Sequence, residues 1–212
     1  MVDNDTWCVV VAGGSGARFG APKQFVELGG VALLDRSVAV ARQVCVGVVV
    51  VVPSGAPWDP PPGVVVTTGG PTRSASVRAG LAVVPLTVRV VVVHDATRPL
   101  ASPGLFARVV AAVTGGAAGA IPVLPVVDTV KYLKGDEVGD TVDRETLVMV
   151  QTPQAFAAGV LREAHAGGHD ETDDAALVVR VGRRVIAVPG EVRNIKITVP
   201  DDLGLAAALL QP

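Results

Sequence analysis

With 212 residues, half of them hydrophobic but only 3% aromatic, the chain can build one large core, filled by valine, alanine and leucine. A formal net charge of −2 excludes a general binder of nucleic acid or membrane surface, so any anionic ligand must meet a few placed Arg and Lys side chains. Cys8 and Cys45 lie in apolar contexts without metal-ligand spacing, which reads as two buried, reduced thiols of a cytoplasmic protein.

The opening MVDNDTW is acidic and polar and does not resemble a secretory signal. Val9–Ala12 reads as a buried strand, and Gly13, Gly14, Ser15, Gly16 and Gly20 follow as a turn whose N–H groups can approach a ligand closely. Arg18 and Lys23 stand just beyond, so the segment suits a polyphosphate. It is not a P-loop, because G-x-x-x-x-G-K-[ST] is missing. It also lacks the third glycine of G-x-G-x-x-G, and Pro22 interrupts an immediate helix.

Leu34, Val38, Ala41 and Cys45 recur at helical spacing before a strand at Gly47–Val52. That strand ends in Pro53-Ser54-Gly55, with no carboxylate to hold a ribose, which disfavours a nicotinamide dehydrogenase. A strand at Val64–Val66, a helix carrying Val77, Leu81 and Val84, and a strand at Val88–Val93 come next, followed by HDATRP. Val109–Val127 is uncharged, but its glycines and prolines read as a helix end, a turn and a buried strand near Gly119–Pro122, not a membrane span. Residues 126–150, with DTVKYL, a polar turn and TVDR, read as a hairpin arm too small to be stable alone. After QTPQ come helical segments, a strand near Arg184–Val188, NIKIT, and a last helix opened by Pro200, Asp201 and Asp202.

This alternation predicts an α/β fold with a mainly parallel sheet, helices on both faces and a protruding arm, all within one domain. Ligands of such sheets gather beyond the carboxyl ends of the strands, where both the glycine loop and the segment from His94 to Pro99 emerge. His165 and His169 have the i, i+4 spacing of a zinc face, but Gly167-Gly168 should end the helix between them. His94 reads as a structural histidine at a strand end.

The ordered set AGGSGARFGAPKQF, GGPTRSASVRAGL, VHDATRP, DTVK, TVDR, QTPQAF, TDDAAL and NIKITVPDDL resembles the 2-C-methyl-D-erythritol 4-phosphate cytidylyltransferase family. The resemblance implies a Rossmann-like nucleotidyltransferase fold, activity on CTP and a polyol phosphate, a divalent cation such as Mg²⁺, and a homodimer. It assigns Arg18 and Lys23 to catalysis and Arg144, Lys196, Thr129, Arg98, Thr152 and Thr172 to positioning the polyol phosphate. Ala12, Gly13, Gly14, Ser15, Gly16, Gly70, Arg73, Ser76, Asp95 and Ala96 match the CTP site, and Asp95 is the candidate metal ligand. Thr129 and Arg144 are expected to serve the neighbouring subunit's site. A ribitol 5-phosphate cytidylyltransferase is the near alternative, set aside on DTVK and TVDR together. A non-catalytic nucleotide-binding protein is the more distant one, set aside because Arg18, Lys23, Arg144 and Lys196 are all present.

Overall fold

The computed structural model describes residues 3–14, 16 and 19–210. In chain order the elements are β1 (Asp3–Val11), β2 (Glu27–Leu28), β3 (Val31–Ala32), α1 (Leu33–Val44), β4 (Cys45–Val52), β5 (Val64–Thr68), α2 (Arg73–Val83), β6 (Val90–Asp95) and α3 (Pro103–Thr114). Then come β7 (Gly119–Pro125), β8 (Val130–Lys134), β9 (Glu137–Val142), β10 (Val148–Val150), β11 (Gln154–Ala157), α4 (Ala158–Ala166), α5 (Asp174–Arg180), β12 (Val185–Pro189) and α6 (Asp201–Leu210).

The main sheet runs β10-β7-β11-β6-β1-β4-β5, with β12 also paired to β7. β6, β1, β4 and β5 are parallel neighbours, as are β12 and β7. The expected mainly parallel α/β sheet is therefore present, with two antiparallel strands: β10 at the edge, which runs against β7, and β11. β11 lies between β6 and β7 and runs against both. Its sequence, QAFA, is too short to show a period.

β1 starts well before the apolar run that predicts it, because the ladder carries polar residues: Asp3 pairs with Cys45 and Thr6 with Val90. Val88, expected to open the next strand, is buried in a turn, and its N–H donates to the Pro85 carbonyl.

Valine fills both faces of the sheet, because strands buried on two sides need β-branched residues throughout. On one face Cys8, Val10, Val48, Val50 and Val92 pack with α1 and α3, where Leu34, Val38, Leu105 and Phe106 are buried. On the other, Val9, Val49, Val51, Val91 and Val93 meet α2, α4 and α5. Gly80 lets α2 settle there, since a Cβ at that position would stand 2.4 Å from Val9 Cγ1. Helix starts follow local chemistry: the side chains of Thr72, Ser102 and Asp173 each accept an N–H from the first turn of α2, α3 and α5.

α6 closes the end of the molecule through a smaller cluster of Leu28, Leu33, Ile197 and Ala206. Asp202 accepts the N–H groups of Thr198 and Val199, as its helix-start reading requires. β8 and β9 pair only with each other, forming the expected hairpin, but the arm is shorter than residues 126–150, because Val148–Val150 pair with β7 as β10 of the main sheet. Cys8 and Cys45 are free and buried, and burial pushes the Cys8 thiol up. Among the described residues no helix is long and apolar enough to cross a membrane.

Candidate active site

A cleft of about 620 Å³ opens beyond the carboxyl ends of β1 and β6. It gathers Ala12, Gly13, Gly14, Gly16, Lys23, Gly70, Arg73, Ser76, Asp95 and Lys196, drawn from four separated stretches of sequence. Ser15 and Arg18 lie outside the described residues. The loop needs glycine at Gly16, where φ is +69° and a Cβ would stand 1.8 Å from the Ala21 carbonyl. Lys23 opens a short 3-10 turn after Pro22, which fixes the ammonium's base at the loop's far side.

Charge in the cleft converges on Asp95. Lys196 Nζ donates to Oδ2 at 2.7 Å, and Arg73 Nε reaches Oδ1 at 3.3 Å. Burial alone would raise this carboxyl, but Arg73 and then Lys196 outweigh it and hold it far below the usual carboxylate range. Arg73 is itself held from behind, its Nη1 donating to Asp174 Oδ2 at 2.8 Å, while Asp174 Oδ1 faces His165 Nε2 at 2.9 Å. Burial opposes the Arg73 charge, yet Asp174 and Asp95 together raise its pKa further. The sequence reading missed Asp174. Its only signal was its place in TDDAAL, where a helix-start carboxylate is the ordinary reading.

A second set of contacts fixes the backbone of Asp95. Its N–H donates to Thr152 Oγ1 at 3.0 Å, and that oxygen stands 3.1 Å from His94 Nδ1. His94 Nε2 lies 3.2 Å from the Arg98 carbonyl, so the ring donates there and accepts the Thr152 hydroxyl proton. Burial lowers the His94 pKa to about 4, so the ring is neutral. It is a structural histidine, packed 5.0 Å from the Phe106 ring.

The remaining candidates stand elsewhere. Thr152 is buried beneath the cleft floor. Arg98 donates to the carbonyls of Asn194 and Val150, and burial lowers its pKa. Ala96 does not line the cleft: it is fully buried, its N–H donates to Val11 and its carbonyl accepts from Ser37. Thr172 is exposed just before α5. Thr129 and Arg144 are exposed at the arm, where Arg144 Nη1 donates to the Val127 carbonyl at 2.6 Å. Gln24, Pro71, Thr72 and Thr97 also line the cleft; they lie within the motif segments, but the sequence reading assigned none of them a role of its own. His165 and His169 form no metal cluster, and among the described residues no group of three or more His, Cys, Asp or Glu could hold a metal ion.

The sequence profile of 2-C-methyl-D-erythritol 4-phosphate cytidylyltransferase matches residues 6–212. The chain belongs to this cytidylyltransferase family. A 2-C-methyl-D-erythritol 4-phosphate cytidylyltransferase of Rhodococcus opacus is 46% identical, covering 96% of this chain and 94% of its own. The crystal structure of the Thermus thermophilus cytidylyltransferase superposes with a TM-score of 0.84 at 41% identity, over 96% of this chain and 98% of that one. A bifunctional enzyme IspD/IspF of Solidesulfovibrio magneticus is 42% identical over 97% of this chain, which spans 57% of that longer protein. The sheet described above is thus the fold of this cytidylyltransferase family.

Proposed function

We infer that this chain transfers the cytidylyl group of CTP to 2-C-methyl-D-erythritol 4-phosphate, a step of isoprenoid precursor synthesis. The observation that carries this reading is the junction of the glycine loop, Lys23, Arg73, Asp95 and Lys196 in one cleft, in a chain matched by the family over nearly its whole length. A phosphate oxygen of the polyol attacks the α-phosphorus of CTP. The bond from that phosphorus to the β-phosphate oxygen breaks, and pyrophosphate leaves with the electron pair. The attacking phosphate is already an anion, so no general base is needed, and catalysis is placement and charge neutralisation.

The glycine loop offers N–H groups to the triphosphate. Lys23 with Arg18 neutralises charge that builds on the α-phosphate, and Lys196 takes the phosphate of the polyol. Asp95, kept ionised beside Arg73 and Lys196, is the carboxylate that would hold Mg²⁺ next to the triphosphate. When bound, such a cation would offset negative charge on the phosphates.

A homodimer in the cytoplasm completes this reading. Tyr132, Leu133 and Val138 of the arm are 66–70% exposed, more apolar surface than a lone hairpin leaves to water, and a second copy is the occupant that fits. Thr129 and Arg144 at the arm then reach the neighbouring site. The test is mass spectrometry of the product formed from CTP, Mg²⁺ and 2-C-methyl-D-erythritol 4-phosphate. The expected product carries one cytidylyl group on the polyol phosphate. CTP consumed without that adduct would overturn the reading.

A further inference from the structure

Between β12 and α6 the chain forms neither helix nor strand, yet it delivers Lys196 to Asp95 at 2.7 Å. Lysine has much rotamer freedom to lose, so a loop can aim one only if its backbone is held from outside. On the far side of Lys196, Ile197 supplies the anchor: its side chain is fully buried and its N–H donates to the Thr97 carbonyl at 2.8 Å.

The near side is held by two carboxamides. Gln151, 4% exposed and just past β10, works as a substitute for a strand's backbone. Its Oε1 accepts the Glu191 N–H at 3.0 Å, and its Nε2 donates to the carbonyls of Glu191 at 2.9 Å and Asn194 at 3.2 Å. Asn194 is fully buried and donates from Nδ2 to the Thr152 carbonyl at 2.8 Å and to Gln151 Oε1 at 3.4 Å. The two segments pass so closely at Gly190 that a Cβ there would stand 2.7 Å from Gln151 Oε1. The pair bridges the cis Thr152–Pro153 corner and the segment bearing Lys196.

We propose that Gln151 and Asn194 are positioning residues of the transfer reaction, fixing the Lys196 ammonium where the polyol phosphate must sit. Neither lines the cleft. The inference rests on the reading of Lys196 as the polyol phosphate's contact. A carboxamide is required because the site demands a donor and an acceptor on one planar group. A carboxylate of the same shape would turn the contacts with the Glu191 and Asn194 carbonyls from attraction to repulsion.

The test uses Gln151→Glu and Asn194→Asp in the full chain. Amine acylation followed by mass spectrometry reads the exposure of Lys196, with the exposed arm lysines Lys131 and Lys134 as internal references. Relative labelling of Lys196 should rise about threefold or more as its backbone anchor is lost. The KM for 2-C-methyl-D-erythritol 4-phosphate should rise about tenfold or more while that for CTP changes less than about threefold. Combining Gln151→Glu with Lys196→Ala should cost no more than Lys196→Ala alone.

Unchanged labelling of Lys196, an equal rise in both KM values, or multiplied losses in the double variant would overturn the proposal. Should Gln151→Glu not fold, Gln151→Asn, which draws the amide back by one methylene, is read by the same measurements. Wild-type protein inactive on this polyol phosphate would defeat the functional reading, while the labelling of Lys196 would still decide the positioning role.

Discussion

Asp95 shows how single residues divide the work in this cleft. Its side chain is held by Arg73 and Lys196, and its N–H by Thr152, so its position is set from three directions. Lys23 follows the glycine loop, and the work proposed for it falls in the transition state. Lys23→Ala should therefore lower kcat by about 10²-fold while changing CTP affinity little, as single charge-stabilising donors do. Steady-state kinetics with a CTP binding isotherm checks this, and a loss of affinity with turnover kept would contradict it. His94 makes a different prediction. Its pKa is about 4 in the folded protein and about 6.5 when exposed, so the unfolded chain binds the extra proton in between. Its contribution is complete above pH 6.5 and is lost as pH falls toward 4, by about 3 kcal/mol across that window. Urea denaturation at a series of pH values should show this slope, and His94→Gln should flatten it. Legibility at this scale was uneven. The glycine loop is readable from its residue types, whereas Asp174 acts through Arg73, a neighbour about a hundred residues away that no local spacing reveals.

At the scale of elements, short signals decided boundaries and long contacts decided direction. The caps of α2, α3 and α5 are of the residue types that predict them, so helix starts could be read from the chain. β11 could not, because a strand of four residues takes its antiparallel course from β6 and β7 on either side. The polar start of β1 was hidden for the same reason: pairing with β4 and β6, not hydrophobicity, makes it a strand. Ser102 joins the two kinds of information. It caps α3 by accepting the Leu105 N–H, and its hydroxyl donates to Glu191 Oε1 at 2.6 Å, close to the loop that carries Lys196. Ser102→Ala should lower stability by about 1–2 kcal/mol, the cost of a lost cap and of one hydrogen bond to a charged group. Thermal or urea unfolding measures it, and no change would show that solvent replaces both bonds.

For the whole molecule, the parallel sheet and the position of the cleft were both legible, because valine runs buried on two faces dictate crossovers and crossovers dictate where ligands gather. The arm was legible as a hairpin from its polar turn, though Lys134 ends β8 and Glu137–Gly139 already belong to β9, and what it packs against lies outside one chain's pattern. The dimer proposed above is open to direct test. Leu133→Asp should shift it toward monomer in sedimentation velocity and lower kcat/KM for the polyol phosphate, as Thr129 and Arg144 leave the neighbouring site. A wild-type protein that is monomeric and fully active would remove the arm from the mechanism.

The most direct measurement is the rate of pyrophosphate release from CTP and Mg²⁺ with 2-C-methyl-D-erythritol 4-phosphate, set beside ribitol 5-phosphate and an EDTA control. Metal-dependent turnover of the methylerythritol substrate and none of ribitol phosphate is the expected result. Turnover of ribitol phosphate alone, or CTP binding without release in a folded protein, would contradict it.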